Sequence, residues 1–337
     1  MKRSSQPTLQ DVARSAGVST ATISRCISQP QLVAKGTRER IEHAIAELGY
    51  TPHFGARVLA SNRTNTIGAV IPVLTNAMFA MGVQAFQEAL TEQGVTLLIA
   101  TSGYDPMREY DQIRTLLSRG ADGLMLIGVD RPAKTRKLLA LRGVPHVITW
   151  THRSNDGALS AGFNNRKAAR KMAEKVIKMG HRRLAIISGI TAHNDRARDR
   201  TKGVLDAVAA SGGRAHITAQ IEAPYMLDAG GDAFDAVMQY EHPSAVICGN
   251  DVLAAGAILR AKQRGLELPR DMSFTGFDDI GLARAVDPAL TTMRVPQEAM
   301  GRAAAQLLLG IIAGETGLKN VKLKPEMILR DSLIAAA

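Results

Sequence analysis

The stretch from Thr8 to Leu59 constrains this chain more than any other, because its spacing fits one kind of small helical unit. Thr8, followed three residues on by Asp11, is a helix N-cap pattern. Leu9, Val12, Ala13 and Ala16 then recur at i, i+3, i+4 and i+7, one buried helical face. Ala16-Gly17-Val18 predicts a tight turn with Gly17 at positive φ. Ser19 caps a second helix that turns Ile23, Cys26 and Ile27 inward and Ala21, Ser24, Arg25 and Ser28 outward. A third helix near Lys35–Leu48 has Ile41, Ala44, Ile45 and Leu48 as its apolar face; Gly49 ends it and Pro52 prevents its resumption. A helix, a glycine turn and a capped second helix form a helix-turn-helix, whose second helix enters the major groove of DNA.

Charge agrees with that reading. The 337-residue chain has a formal net charge of +11. Residues 1–64 hold nine Lys/Arg against four acids, so +5 of it lies in the first fifth of the chain. Phosphate binding requires such a concentration; charge alone would equally fit a surface that is merely soluble. Cys26 and Cys248 both sit in apolar patterns and read as small core residues. No disulfide framework, Cys/His metal spacing or cofactor motif is present. The polar N-terminus lacks the apolar segment of a signal peptide, and no apolar run approaches a membrane span. The expected compartment is the cytoplasm, with no membrane partner.

A polar linker, Ser61-Asn-Arg-Thr-Asn-Thr66, marks a domain boundary at about 62–65. Beyond it apolar runs alternate with helical patterns. Strands are predicted at Thr66–Val73, Thr96–Ala100, Gly123–Val129 and His146–Trp150, and again at Arg183–Ser188, Ala215–Ile221, Ala245–Cys248 and Ser273–Phe277. Alternating βα units imply doubly wound parallel sheets, and the two series imply two similar lobes. Ligands of such sheets bind at strand carboxyl ends, so a cleft between lobes is expected.

Several motifs together resemble the lactose repressor/galactose repressor (LacI/GalR) family of bacterial transcription regulators. They are Thr8-Leu-Gln-Asp-Val-Ala13, Ala16-Gly-Val-Ser-Thr-Ala-Thr-Ile-Ser-Arg25, Thr37-Arg-Glu-Arg40 and Leu48-Gly-Tyr-Thr-Pro52. The core adds Gly180-His-Arg-Arg-Leu184, Gly249-Asn-Asp251, Gly276-Phe-Asp-Asp279 and Pro288-Ala-Leu-Thr-Thr292. The resemblance implies an all-α helix-turn-helix headpiece at 1–62 with a hinge helix at 54–60, followed by a periplasmic-binding-protein-like α/β core at 65–337. Lobe 1 would take about 65–163 and 293–320, and lobe 2 about 164–292 and 321–333, because the chain crosses between lobes more than once. The first lobe would then regain a strand near Thr291–Val295 and the helix Gln297–Ile312.

It also implies the residues that touch DNA. Thr20, Ala21 and Arg25 match base-reading positions near the start of the second helix; Arg25 can bond bidentately to a guanine, and small Thr20 and Ala21 suit a thymine methyl. Ser24 and Thr37 are assigned to phosphates, which position without specifying, and Thr8 and Ser19 count among the DNA-binding residues. Outside this motif Arg25 would read as a solvated helix-face arginine. Leu59 matches a leucine that wedges into the minor groove from the hinge, beside Arg57. His53 and Phe54-Gly55 depart from the usual hinge, and Gly55 weakens a helix by about 1 kcal/mol relative to Ala, so the hinge is expected to become helical on DNA.

Effector-pocket positions of the family fall on Phe79, Arg200, Asn250 and Asp278, with Trp150, Asn164 and Arg196 as further candidates. A guanidinium and a carboxylate at strand ends suit a polyhydroxylated ligand, and Phe79 would offer a face to a sugar ring. The alternatives are that Asp278 caps a helix, that Arg200 bridges to Asp195 or Asp199, and that Phe79 is core. Asn164 stands where the family often has Asp. The arginine-rich run Asn194–Arg200, with Pro72–Asn76 and Gly103-Tyr104, is similar to the branch that senses gluconate and related sugar acids, so an anionic effector is expected first, a neutral sugar second and a purine third.

A homodimer on a palindromic operator follows from the family, with two recognition helices about one turn apart. An enzyme is the competing class for the two lobes. There is no Gly-x-Gly-x-x-Gly after the first strand, no Walker A run and no Gly-x-Ser-x-Gly elbow. A sugar-binding protein without a DNA reader would have no use for residues 8–59.

Overall fold

The computed structural model describes residues 7–51, 63–152 and 157–336. The chain divides into two compact units, Met1–Thr64 and Asn65–Ala337. The first contains helices α1 (Leu9–Ala16), α2 (Thr20–Ser28) and α3 (Lys35–Leu48), with a 3-10 turn at Pro30–Leu32. A capping box starts α1: the Thr8 hydroxyl accepts the Asp11 N–H at 3.3 Å, and the Asp11 carboxylate accepts the Thr8 N–H at 2.9 Å. The Thr8 hydroxyl, donating to the Asp11 carboxylate at 2.7 Å, and the Thr8 N–H together hold that carboxyl below its ordinary pKa. Gly17 makes the turn at φ 64°.

Val12, Ala13, Ala16, Ile23, Cys26, Ile41, Ala44 and Tyr50 form the buried core of this unit. Leu48 departs from expectation. It is 37% exposed, because α3 stops at left-handed Gly49 and the reversed chain buries Tyr50 instead. The expected hinge at 54–60, with Arg57 and Leu59, lies outside the described residues.

The second unit has two parallel sheets. The first contains β1 (Thr66–Ile71), β2 (Thr96–Thr101), β3 (Gly123–Ile127), β4 (His146–Thr149), β5 (Leu159–Gly162) and, from far down the chain, β11 (Val321–Lys322), in the order β11-β5-β4-β3-β1-β2. The second contains β6 (Arg183–Gly189), β7 (His216–Ala223), β8 (Ala245–Cys248) and β9 (Ser273–Thr275), in the order β7-β6-β8-β9. β1 and β3 are buried throughout, as strands covered on both faces must be.

Two expectations about the crossings change. The segment near Thr291–Val295 does not rejoin the first sheet: β10 (Thr292–Arg294) pairs antiparallel with β12 (Glu326–Ile328), and Thr291 bridges to Thr275 at the end of β9. Residues 321–322 belong to the first lobe rather than the second, because β11 hydrogen-bonds along β5 as its edge partner. The last crossing therefore comes after Lys322. Beyond it Ser332 bonds to Phe274 and Thr291, and the Ile334 carbonyl lies 2.9 Å from His181 Nε2, fastening the tail to lobe 2.

Helix Gln297–Ala313 does return to the first lobe, burying Met300, Ala304, Ala305 and Leu308 in its core. It runs close to helix Ala77–Thr91: a Cβ on Gly301 would overlap the Gly82 carbonyl oxygen and lie 2.9 Å from the Phe86 nitrogen. Backbone cannot yield as a side-chain tip can. Gly301→Val is therefore expected to lower stability by about 1–3 kcal/mol or more, read as a lower denaturation midpoint; an unchanged midpoint would contradict this packing.

Candidate DNA-reading face and effector cleft

In the first unit, Ser19 starts α2 by accepting the Thr22 N–H at 3.1 Å. That cap sets the chain direction just before the exposed residues Thr20, Ala21, Ser24 and Arg25. The inward face is anchored by Ile23 and Cys26, so the outward face is fixed by packing on the opposite side. Burial raises the Cys26 thiol pKa, in keeping with a core role. Thr8 is occupied by its own capping box, and Thr37 is half-buried in the first turn of α3.

In the second unit the two lobes face each other across the carboxyl ends of their strands. Helix Asp195–Ala210 presents Arg196, Arg198 and Arg200 there. Arg200 and Asp278, brought together across 78 residues, form a buried pair at 3.3 Å. The guanidinium also donates to Asn165 Oδ1 at 2.9 Å and to the Gly249 carbonyl at 2.7 Å, and stacks 3.8 Å above the Phe277 ring centroid. Asp278 stands at φ 111°, a backbone region rare for anything but glycine, and Gln297 donates to its carbonyl at 3.3 Å. Burial pushes the Asp278 carboxyl up to about 7, outweighing the pull of Arg200.

The other arginines are also paired. Arg196 binds Asp195 at 2.7 Å, Arg198 binds Asp130 of lobe 1 at 2.6 Å, and Arg131 binds the buried Glu109 at 3.2 Å. Asp195 additionally accepts the Val129 N–H of lobe 1 at 3.2 Å. The arginine run therefore does not present bare positive charge, which removes the local-count argument for an anionic effector. Between the lobes, among Tyr104, Glu109, Asp130, His193 and Arg196, remains a space of about 20 Å³. That accommodates about one water. A ring-sized ligand does not fit that space as it stands.

The remaining candidates fall into place unequally. Phe79 and Trp150 are fully buried and meet edge to face, centroids 5.3 Å apart, in the first-lobe core. Phe79 takes its core alternative rather than offering a free face. Asn250 is buried and caps the helix Asp251–Gln263 through the Leu253 N–H at 2.9 Å. Asn164 is exposed and caps helix Asn165–Lys178 through the Lys167 N–H at 2.8 Å, so its side chain turns back along its own helix. Asn165 takes the inward role: it donates to the Trp150 carbonyl at 2.8 Å and accepts from Arg200. Its signal was present in the sequence, since Asn165, Ala168, Ala169 and Met172 share one helical face. Tyr225, whose ring lies 6.1 Å from that of Tyr104, carried no such signal.

The profile of the lacI family of bacterial regulatory proteins matches residues 8–53, and that of a periplasmic binding protein-like domain matches residues 173–333. The HTH-type transcriptional repressor PurR of Vibrio atlanticus is 32% identical over 97% of this chain and 98% of its own. This chain belongs to the lacI family. The HTH-type transcriptional regulator GntR of Escherichia coli K12 is 31% identical over 92% of this lacI-family chain and 93% of its own. A lacI-family transcriptional regulator from Silicibacter pomeroyi superposes with a TM-score of 0.87 at 26% identity, covering 97% and 99% of the two chains. The Lac repressor dimer bound to operator and the anti-inducer ONPF gives 0.84 at 25%, covering 98% and 100%. The helical headpiece and two-lobed α/β core expected from the sequence are those of a lacI-family regulator.

Proposed function

We propose that this lacI-family protein is a sequence-specific repressor, binding a palindromic operator as a homodimer, whose affinity is set by a small polyhydroxylated effector, a sugar or sugar acid, held between its lobes. The Arg200–Asp278 pair carries the reading. It stands at strand carboxyl ends, is closed off from water, and offers donor and acceptor groups in fixed positions, as ring hydroxyls require. The effector site comprises Arg196, Arg200, Asn250 and Asp278, with Asn165 holding Arg200 and Phe79 and Trp150 backing the wall. A neutral sugar satisfies the pair as it stands; a sugar acid takes one guanidinium from its carboxylate.

The headpiece supplies the DNA contact through Thr20, Ala21 and Arg25, with Ser24 and Thr37 on phosphates, Thr8 and Ser19 at the helix starts beside them, and Arg57 and Leu59 in the minor groove. Exposed Ile99 on edge strand β2, with Leu74 and Met81, supports a second copy beside lobe 1. The core binds its ligand without transforming it, and the protein works in the cytoplasm, where its DNA is. Among the described residues no helix is long and apolar enough to cross a membrane. The effector acts by its different affinity for the open and closed lobes, a coupling of about 1–3 kcal/mol.

The test is selection of duplexes from a random pool by the full chain at moderate ionic strength, without and with D-gluconate, D-glucose or hypoxanthine. The expected result is an enriched palindrome whose retention changes about 5- to 150-fold with one of the first two compounds. Response to hypoxanthine alone would replace the sugar reading by a purine one. No enrichment over random competitor under any condition would overturn the proposal.

A further inference from the structure

One cleft group still lacks a role, and any role it takes there rests on the sugar or sugar-acid reading of the site. Tyr104 follows β2 through Gly103 and stands at φ 62°, a left-handed conformation uncommon for a tyrosine. It is held there over the space between the lobes, with Glu109 and Asp130 on its own lobe and Arg196 on the other. Its ring leans on Tyr225 of the second lobe, with centroids 6.1 Å apart and planes at 48°. Yet its hydroxyl is buried and has no hydrogen-bond partner among the described residues. Tyr225 differs in this: its own hydroxyl accepts from Asn194 at 3.4 Å.

A buried hydroxyl without a partner is unusual and demands an explanation. Packing does not supply one, since a phenylalanine would fill the same volume without the stranded oxygen. The surroundings do. Tyr104 feels the charges of Arg196, Arg200 and Asp278, so it lies beside the groups that make up the effector site. Burial raises its phenol pKa, so the group keeps its proton and remains a donor at any working pH. The space before it measures about 20 Å³, enough for about one water. A ligand oxygen arriving there meets a donor already in place, from a lobe that otherwise offers the cleft carboxylates.

We propose that Tyr104 is a specificity-determining residue of the cleft, whose phenol donates a hydrogen bond to a hydroxyl or carboxylate oxygen of the polyhydroxylated effector. A site built to hydrogen-bond a ligand group discriminates strongly against ligands that lack it, because its polar atom is then left buried and unpaired.

The experiment is calorimetric titration of the full-length protein and of its Tyr104→Phe variant with D-gluconate and with D-glucose, alongside the melting midpoint of each unliganded protein. The expected result is that whichever probe binds the unsubstituted protein binds Y104F at least tenfold more weakly, while the midpoint is unchanged or higher. A merely structural tyrosine would give the opposite: a lower midpoint and an unchanged Kd. If Y104F binds the probe as tightly as the parent, the hydroxyl holds only a water and the proposal is overturned while the effector reading stands. If neither probe binds the unsubstituted protein, the polyhydroxyl reading falls and the role of Tyr104 falls with it.

Discussion

At pH 8, Asp278→Ala is expected to lower the stability of the core by about 3–5 kcal/mol. The substitution leaves the Arg200 guanidinium buried with its two neutral partners, Asn165 and the Gly249 carbonyl, and without its carboxylate. Arginine cannot shed its charge to escape. The reciprocal variant, Arg200→Met, is expected to cost less, because the abandoned Asp278 can take up a proton, a change its burial already favours. Denaturant titration followed by fluorescence measures both, since Trp150 is the one tryptophan of the chain and lies in the core. Equal losses for the two variants would show that the pair is not what holds this region.

The same pair makes stability depend on pH. The Asp278 pKa is raised from 3.8 to about 7 by burial, so between those values the folded protein keeps a proton that the unfolded chain releases. Stability therefore falls as pH rises from about 4 through 7 and levels off above. Asp251, also raised by burial and facing Asp278, adds a slope of the same sign. Asp279 acts with the opposite sign and at lower pH: burial raises its carboxyl, but hydrogen bonds from Arg294 and Arg330 bring it below the ordinary value, so its contribution is lost only as pH falls below about 4. In Asp278→Asn the slope between pH 4 and 7 should shrink to that of the remaining groups; an unaltered slope would place the proton elsewhere.

Arg25→Ala is expected to weaken binding to the selected operator by about 5- to 150-fold, the value of one bidentate guanine contact. Affinity for random duplex should change far less, with a salt slope altered by at most about one charge. Arg25 is exposed on α2 opposite Ile23 and Cys26, so the headpiece fold should be untouched. Anisotropy titrations on operator and random duplexes separate base reading from phosphate contact. A parallel fall on both would assign Arg25 to the backbone, and no fall on either would remove it from the interface.

What could be read beforehand followed local periodicity. The caps at Thr8 and Ser19 and the apolar faces of α1 and α2 are written within a few residues, and so are β1, β3, β4, β6 and β8, each built around a short apolar run. β5 escaped because Leu-Ser-Ala-Gly is short and small-sided, and is a strand only because β4 and β11 flank it. β10 and β12 are two distant pieces that define each other. The cleft shows the same division. Arg196, Arg200 and Asp278 could be named, but only Arg196 meets an acid of its own helix, Asp195; Asp278 lies 78 residues from Arg200, and Asp130 approaches Arg198 from the opposite lobe. Counting arginines along one helix could not reveal that their charge is already matched. Nor could periodicity reveal the Tyr104–Tyr225 meeting, since both residues sit in loops after strands.

The short strand β11 has a consequence for the order in which the protein comes into being. It closes the outer edge of a sheet whose other strands were all laid down by residue 162, and Ser332 and Ile334 fasten the second lobe even later. During synthesis the headpiece, with a core of its own, leaves the ribosome complete, while both halves of the receptor wait for the carboxyl terminus. A message cut short near its end would therefore yield a chain that retains a folded headpiece and lacks the finished receptor that sets its affinity.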